Sequence, residues 1–390
     1  MSGVPVMPTT MTTTMTCADE VELSADVVDL IAERAAGSDV SGHLDPDVAA
    51  ALRTTGINRL LLPVELGGLA ASPRRCVDVV ERIAAADGST AWAAAIGFGT
   101  NLFAGYVDRD GAAELFGDPD QPNASMFAPM AAVSEAADGT LRLTGRWPFT
   151  SNCEQAAWLG LAAAFPGEPA PRLVFAPRDA VTIHQTWDVA GLRATASNDT
   201  SLTDFVVDRR HTCSFADRSW ADGTLWRMPL FVALAPPLAA VGLGVARGAL
   251  DEINRQALAR VEHVRGSLFD DHVGMGDLGA ADTLLRGARA GLIEAIDECW
   301  ARAEVGNPID RRLQARAFLS SQHCLDVAVE VTGTCHRLGG GAAAYRSSPL
   351  LRAVRDVETA RQHAMFNRGL RSHLARVITG ADEAHPPFVV

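Results

Sequence analysis

The run Gly145-Arg-Trp-Pro-Phe-Thr-Ser-Asn152 gathers aromatic, hydroxyl and amide groups in a stretch short enough to form one wall of a ligand site. Leu141, Leu143, Trp147 and Phe149 alternate with more polar neighbours, which is the two-residue period of a half-buried strand. Thr150, Ser151 and Asn152 end that strand in small hydrogen-bonding groups. Their hydroxyls, and the backbone N–H groups freed at a strand end, could bond the edge of a planar polar ring such as an isoalloxazine, with Trp147 or Phe149 as an apolar wall. The same pattern also suits a plain strand running into a Ser/Asn turn.

A second group with acid–base capacity is His363. On a continuous helix it shares a face with Asp356 and lies near Thr359, so a hydrogen-bonded structural histidine is the alternative to catalysis. Arg352 and Asp356, four residues apart, read as a helix-stabilising pair. His211, His323 and His336 have no partner spacing. Cys153 follows the strand directly but has no evident base, and the seven cysteines are scattered without a CxxC. Neither a metal site nor a disulfide framework is indicated, and a reducing cytoplasm is the simplest home.

Several reaction classes drop out on composition. The chain has no lysine, which removes Schiff-base and P-loop lysine chemistry. A net charge of −13 without a clustered basic patch argues against nucleic acid. The longest apolar stretch, around Leu230 to Val245, carries Pro236 and Pro237, so no membrane span is expected. Gly242-Leu-Gly244-Val-Ala-Arg-Gly248 imitates a dinucleotide fingerprint, but its spacing is wrong and no strand precedes it, so it reads as small residues for close helix packing.

The elements that must position Ser151 and His363 fall into three blocks. Residues 1–19 form a Met/Thr-rich tail without signal-peptide character. Residues 20–120 show helical spacing, interrupted between Gly56 and Gly68 by Pro63 and the Gly67-Gly68 pair, which predict a short extended run and a turn. Asp87-Gly-Ser-Thr90 ends one helix and caps the next, which carries Trp92. Residues 121–222 read as a small β domain with strands at Leu141 to Phe149, Trp158 to Phe165, Leu173 to Ala176 and Leu202 to Val207. Within it Trp187 to Asp199 forms a polar loop of the kind that lines a site. Residues 223–390 return to helical spacing in four long segments, roughly 230–262, 275–304, 308–337 and 349–379, suited to an antiparallel bundle. Leu338-Gly-Gly-Gly341 separates the last two, and its backbone at Gly339 and Gly340 could approach a ligand closely.

Taken in order, these pieces resemble the acyl-CoA dehydrogenase superfamily over nearly the whole chain. They are Gly56…Pro63…Gly67-Gly68, Asp87-Gly-Ser89…Trp92, the strand ending Trp-Pro-Phe-Thr-Ser151, Trp187…Gly191-Leu-Arg-Ala-Thr-Ala-Ser197, and Arg352…Arg355-Asp356. The resemblance implies a mainly α fold with a central β domain: an N-terminal helical domain, a middle β-barrel domain and a C-terminal four-helix bundle, assembled as a homotetramer. The dehydrogenases of that superfamily carry a catalytic glutamate about eight residues after the Arg-Asp pair. Here Ala364 stands at that position, beside His363. The strand and the histidine look instead like the two-component flavin-dependent monooxygenases (group D), which take reduced FMN or FAD from a separate flavin reductase and use O₂ to oxygenate a small organic substrate, aromatic or natural-product-like, through a C4a-peroxyflavin.

Carried over on matching positions, Ser151 corresponds to the serine at the flavin's reactive edge, and Thr150 and Phe149 to neighbours lining the ring. His363 corresponds to the histidine that is a base toward substrate or a hydrogen-bond partner of the oxygen intermediate. Arg265 and Phe269 resemble a stretch reaching the cofactor's distal half from a neighbouring subunit. Asn152 stands where many members have glycine, and Asn101 where some carry a further histidine. Two other readings stay open: a dehydrogenase-type flavoenzyme with a relocated base, and a flavin-free member acting by binding or non-redox rearrangement.

Overall fold

Polar caps start each of the first five helices of the computed structural model, which describes residues 21–214, 216–261, 268 and 271–381. These helices are α1 (Ala25–Ser41), α2 (Pro46–Thr54), α3 (Pro73–Ala86), α4 (Gly88–Asn101) and α5 (Arg109–Phe116). Ser24, Asp45, Ser72, Asp87 and Asp108 accept the exposed N–H groups of their first turns. Asp87 ends α3 and caps α4 in one residue, accepting from Thr90 N at 2.8 Å and Thr90 Oγ1 at 2.7 Å. Between α2 and α3 the chain forms 3-10 turns at Ile57–Arg59 and Val64–Leu66 and is not extended. The reason is that Leu60, Leu61 and Leu62 must all be buried, which a strand of alternating faces against one helix layer cannot do.

The strands are β1 (Ala124–Glu135), β2 (Leu141–Thr150), β3 (Trp158–Ala164), β4 (Arg172–Pro177), β5 (Thr182–His184), β6 (Asn198–Val206) and β7 (Thr212–Ser214), in the order β5-β6-β2-β1-β3-β4-β7. β1 joins the two halves of the sheet, antiparallel to β2 and parallel to β3. Leu143, Trp147, Leu159, Leu161 and Val174 form the core on one side of the sheet, separate from the larger core shared by the helices.

The C-terminal helices are α6 (Leu230–Val261), α7 (His272–Glu304), α8 (Arg311–Leu338), α9 (Pro349–Ala360) and α10 (Arg368–Thr379). α6 passes through Pro236 and Pro237 unbroken, as the single helical segment 230–262 read from the sequence implies. By length and composition its segment Leu230–Ala259 could cross a membrane, but 83% of its most apolar window is buried inside this fold, so it is the core helix of the bundle. Its glycines lie against backbone and small side chains: Gly244 and Gly248 on α3 at Glu81 and Ala85, Gly242 on α8 at Leu325 and Ala328. That is the close helix packing read from their spacing.

The fourth predicted helix, 349–379, is corrected. It breaks between α9 and α10 at a 3-10 turn, Ala364–Phe366. His363 caps that turn and Asn367 caps α10, accepting from Gly369 N at 2.7 Å. His363 therefore lies in a helix break and does not share a helical face with Asp356.

Candidate active site

The site begins with a bulge. Trp147 pairs with Thr200 and Thr150 with Asn198, so β2 spends one residue more than β6 between these pairs. The extra residue turns the strand: Phe149 adopts φ +61°, its ring points outward with 65% of its surface exposed, and it packs edge-on against Trp187 at 6.2 Å. Among the described residues six non-glycine positions have positive φ, and four of them, Phe149, Asn152, Leu192 and Ala196, lie on the end of β2 and the loop facing it. Left-handed backbone is unfavourable for side-chain-bearing residues and persists where surroundings enforce it, commonly at functional sites. The two segments enforce it on each other: Asn152 N donates to Thr195 O at 2.9 Å, and the Cys153 thiol to Ala196 O at 3.3 Å. Asn152 at φ +62° also accounts for asparagine at a position where the family resemblance implies glycine, because asparagine tolerates this region.

Between these segments runs a chain of neutral groups. The Trp92 indole N–H donates to Ser151 Oγ at 3.2 Å, Ser151 Oγ pairs with Ser197 Oγ at 2.7 Å, and Ser197 Oγ with Thr195 Oγ1 at 2.7 Å. Thr195 Oγ1 closes it by donating to Leu192 O at 2.7 Å. Trp92 sits in the first turns of α4, where the Asp87 cap fixes it, and its ring meets the His363 ring edge-to-face at 5.4 Å. Ser151 and His363, 212 residues apart in the sequence, thus both contact one indole.

His363 is half-buried, its ring enclosed between Trp92 and Phe366. That enclosure penalises the imidazolium and lowers its pKa to about 4, so the ring is neutral at physiological pH. Met365 N donates to Nδ1 at 3.4 Å, which selects the tautomer carrying its proton on Nε2. The geometry therefore makes His363 a donor at Nε2. The position that would hold a dehydrogenase glutamate, Ala364, is an exposed residue of the 3-10 turn.

The other expected site residues divide. Trp147 is corrected as an apolar wall: it is fully buried in the sheet core, its N–H on Ala162 O at 2.7 Å, so that role passes to Phe149 and Trp187. The Thr150 hydroxyl is spent inside on Thr200 Oγ1 at 2.9 Å and faces no open surface. Gly339 and Gly340 begin the turn between α8 and α9, with Gly339 packed on Ala343 and Leu350. His363 follows the opposite end of α9, whose 12 residues span about 18 Å, so one chain does not bring these glycines to Ser151. Arg265 and Phe269 lie outside the described residues. Asn101 donates to Asn58 O and accepts from Asn123 in a buried amide network, a structural role. The described cysteines are free and buried, with Cys153 pushed up to about 12 by burial, so none is a nucleophile.

Trp92, Thr195 and Ser197 complete the cluster. Only the hydroxyl-rich Ala-Thr-Ala-Ser197 run signalled two of them in the sequence. Asp356, expected to pair with Arg352, instead accepts the Leu192 N–H at 2.7 Å.

A neutral set of hydroxyls with no carboxylate among its members, beside an exposed aromatic ring, fits the polar edge of a reduced flavin, which a nearby anion would disfavour. Residues 237–368 match the family model "Acyl-CoA dehydrogenase, C-terminal domain". The chain is 34% identical over 331 residues to an indole-3-acetate monooxygenase of Pseudomonas putida, covering 83% of this chain and 84% of that protein. It is 28% identical to the oxygenase component of an FADH(2)-dependent resorcinol hydroxylase of Rhizobium sp. (strain MTP-10005), over 88% of this chain and 89% of that protein. The crystal structure of 3-HSA hydroxylase from Rhodococcus sp. RHA1 superposes with a TM-score of 0.84 at 25% identity, covering 91% of this chain and 94% of that one.

Proposed function

Because the chain belongs to the acyl-CoA dehydrogenase superfamily, in its branch of two-component flavin-dependent monooxygenases, we propose that it is an oxygenase component that hydroxylates a small aromatic substrate with O₂ and reduced FMN or FAD delivered by a separate reductase. The observation that carries this reading is the Trp92 indole, which ties the Ser151 hydroxyl to the His363 ring. An aromatic substrate is supported by the names of the two relatives, and a separate reductase by the designation of one as an oxygenase component.

When bound, the reduced flavin supplies the two electrons with which one oxygen atom of O₂ passes to substrate and the other becomes water. The chain's own residues orient and protect that chemistry. Ser151 Oγ accepts from Trp92 and, because Thr195 gives its proton to Leu192 O and so takes that of Ser197, donates to Ser197, which leaves one lone pair of Ser151 to accept from a bound ring. Phe149 offers a flat apolar face at the same strand end. His363, in contact with the same indole, holds a proton at Nε2 that it would donate to an oxygen of bound O₂ or substrate.

The assembly proposed is a homotetramer in the cytoplasm, in which Gly339 and Gly340 would meet the flavin of a second copy. A net charge of −13 speaks against a nucleic-acid partner. The test is binding: the purified chain should hold reduced flavin more tightly than oxidised flavin and should not oxidise NADH by itself. Rapid NADH turnover by the pure chain contradicts the proposal.

A further inference from the structure

The loop carrying Thr195 and Ser197 is docked on α9 by contacts that the reaction does not itself require. Gly191 lies flat on the helix, where an added Cβ would stand 2.1 Å from Arg355 O and 2.6 Å from Asp356 N. Arg355 donates to Ala190 O at 2.9 Å and pairs with Asp39 of α1 at 2.8 Å, while Arg193 donates to Asp39 O at 2.8 Å. At the centre is Asp356, 2% exposed, whose Oδ1 accepts the N–H of left-handed Leu192. Leu192 O is in turn the acceptor on which the Thr195 hydroxyl and the Trp187 indole N–H both close.

We propose that Asp356 is a positioning residue for the oxygenation: by holding Leu192 it orients the Thr195–Ser197–Ser151 hydroxyls, and it does so from the helix that immediately precedes His363, so one carboxyl sets the spacing of both halves of the site. The reaction it serves rests on the function proposed above; the contact it makes does not.

A second carboxyl faces it. Asp87, the cap of α4, is buried beside Asp356, and a Cβ on Gly88 would lie 3.3 Å from Asp356 Oδ2. The charged groups around the pair are Asp39 from α1 and Arg352 from α9, with Arg355 engaged on Asp39. Burial first, and the Asp87 charge second, push Asp356 up to about 7, and burial raises Asp87 as well. At neutral pH and below, Asp356 thus carries a proton through much of the population, and a neutral carboxyl still accepts at Oδ1. As pH rises and these carboxyls ionise, like charges stand together in one buried space, and the repulsion acts between α9, which precedes His363, and the start of α4, which carries Trp92.

Asparagine keeps the acceptor and loses the titration, whereas leucine fills the space and loses the acceptor. Hydrogen exchange of the flavin-free protein, followed by mass spectrometry over residues 187–198, reads the contact without any chemistry. Asp356→Leu should speed exchange there by about fivefold to tenfold, the loss of one hydrogen bond, while Asp356→Asn stays at the wild-type rate. In the loaded enzyme the ratio of product to hydrogen peroxide should fall through a midpoint near neutrality in the wild type, and that alkaline limb should be absent in Asp356→Asn. A merely structural aspartate would alter overall stability and leave no such limb to remove. If Asp356→Leu does not fold, the Asp356→Asn pH profile decides alone. Equal damage in both variants, unchanged exchange in Asp356→Leu, or an alkaline limb surviving in Asp356→Asn overturns the proposal. A wild type that makes neither product nor peroxide overturns the function instead, and leaves the exchange result to judge the contact.

Discussion

Replacing Ser151 by alanine should harm the protein in proportion to what its partners lose, and the structure permits that to be worked out. Ser197 Oγ would keep its bond to Thr195, but the N–H of Trp92, a residue only 4% exposed, would be left without an acceptor. An orphaned buried donor costs about 1–3 kcal/mol, whereas removing one member of a satisfied neutral pair costs about 0.5–1.5 kcal/mol. Trp92→Phe keeps a ring against His363 while deleting the N–H, so in that background Ser151→Ala orphans nothing. The double variant should therefore be less destabilised than the sum of the singles by about 1 kcal/mol. For a chain of 390 residues the unfolding entropy is about 0.8 kcal/mol per degree, so Ser151→Ala should lower the apparent Tm by about 1–4 °C and the coupling should be about 1 °C. Calorimetry of the four flavin-free proteins at one scan rate measures this. Strict additivity would refute the claim that Trp92 and Ser151 act as one unit, and with it the alignment of hydroxyl and imidazole.

His363→Ala should leave reduced-flavin binding largely intact while lowering product formation by about 10² to 10⁴, with hydrogen peroxide appearing in its place; product and peroxide counted per turnover check this. Because the folded-state pKa of His363 is lowered to about 4 by burial, its contribution to stability is present above the ordinary histidine pKa and is lost as pH falls from there toward 4, so His363→Ala should flatten that acid loss in Tm against pH. Asp356 has the opposite sign: its folded pKa is raised, so its contribution is present at low pH and lost as pH rises toward about 7, and Asp356→Asn should gain on the wild type across that range. Gly191→Ala must separate the loop from the α9 backbone and should destabilise by about 1–3 kcal/mol, with faster exchange over residues 187–198. Asn152→Gly and Asn152→Ala both give up the buried amide that donates to Asn123 O at 3.3 Å, but only alanine is strained at φ +62°, so Asn152→Ala should be the less stable of the two by about 1 kcal/mol in the same calorimetric measurement.

What could be read from the sequence was local. Caps at Ser72 and Asp87, the hydroxyl-rich end of β2 and the polar loop before Ser197 all announce themselves within a few residues. The outward turn of Phe149 was hidden, because the bulge depends on pairing with β6 some fifty residues later. For the same reason Trp147 and Phe149 looked alike in the strand period, although one is core and the other surface. The break before His363 contains neither proline nor glycine. Its one local sign is Asn367, two residues ahead of Gly369, whose side chain caps α10 and so competes with continuing the helix. Asp356 resembled a helix-surface partner of Arg352 because the i, i+4 rule cannot know that Gly191 brings another backbone onto that face.

An oxygenase component fed by a separate reductase must pass one atom of O₂ to its substrate only when reduced flavin is supplied from outside. The most direct measurement supplies reduced flavin from an added reductase under ¹⁸O₂ and follows product mass over a panel of phenols and indole acids. The account predicts a product carrying one ¹⁸O atom, formed only when reductase and this chain are both present and replaced by hydrogen peroxide in His363→Ala. Product whose new oxygen comes from water, or desaturation of a thioester with no oxygen incorporated, would contradict it.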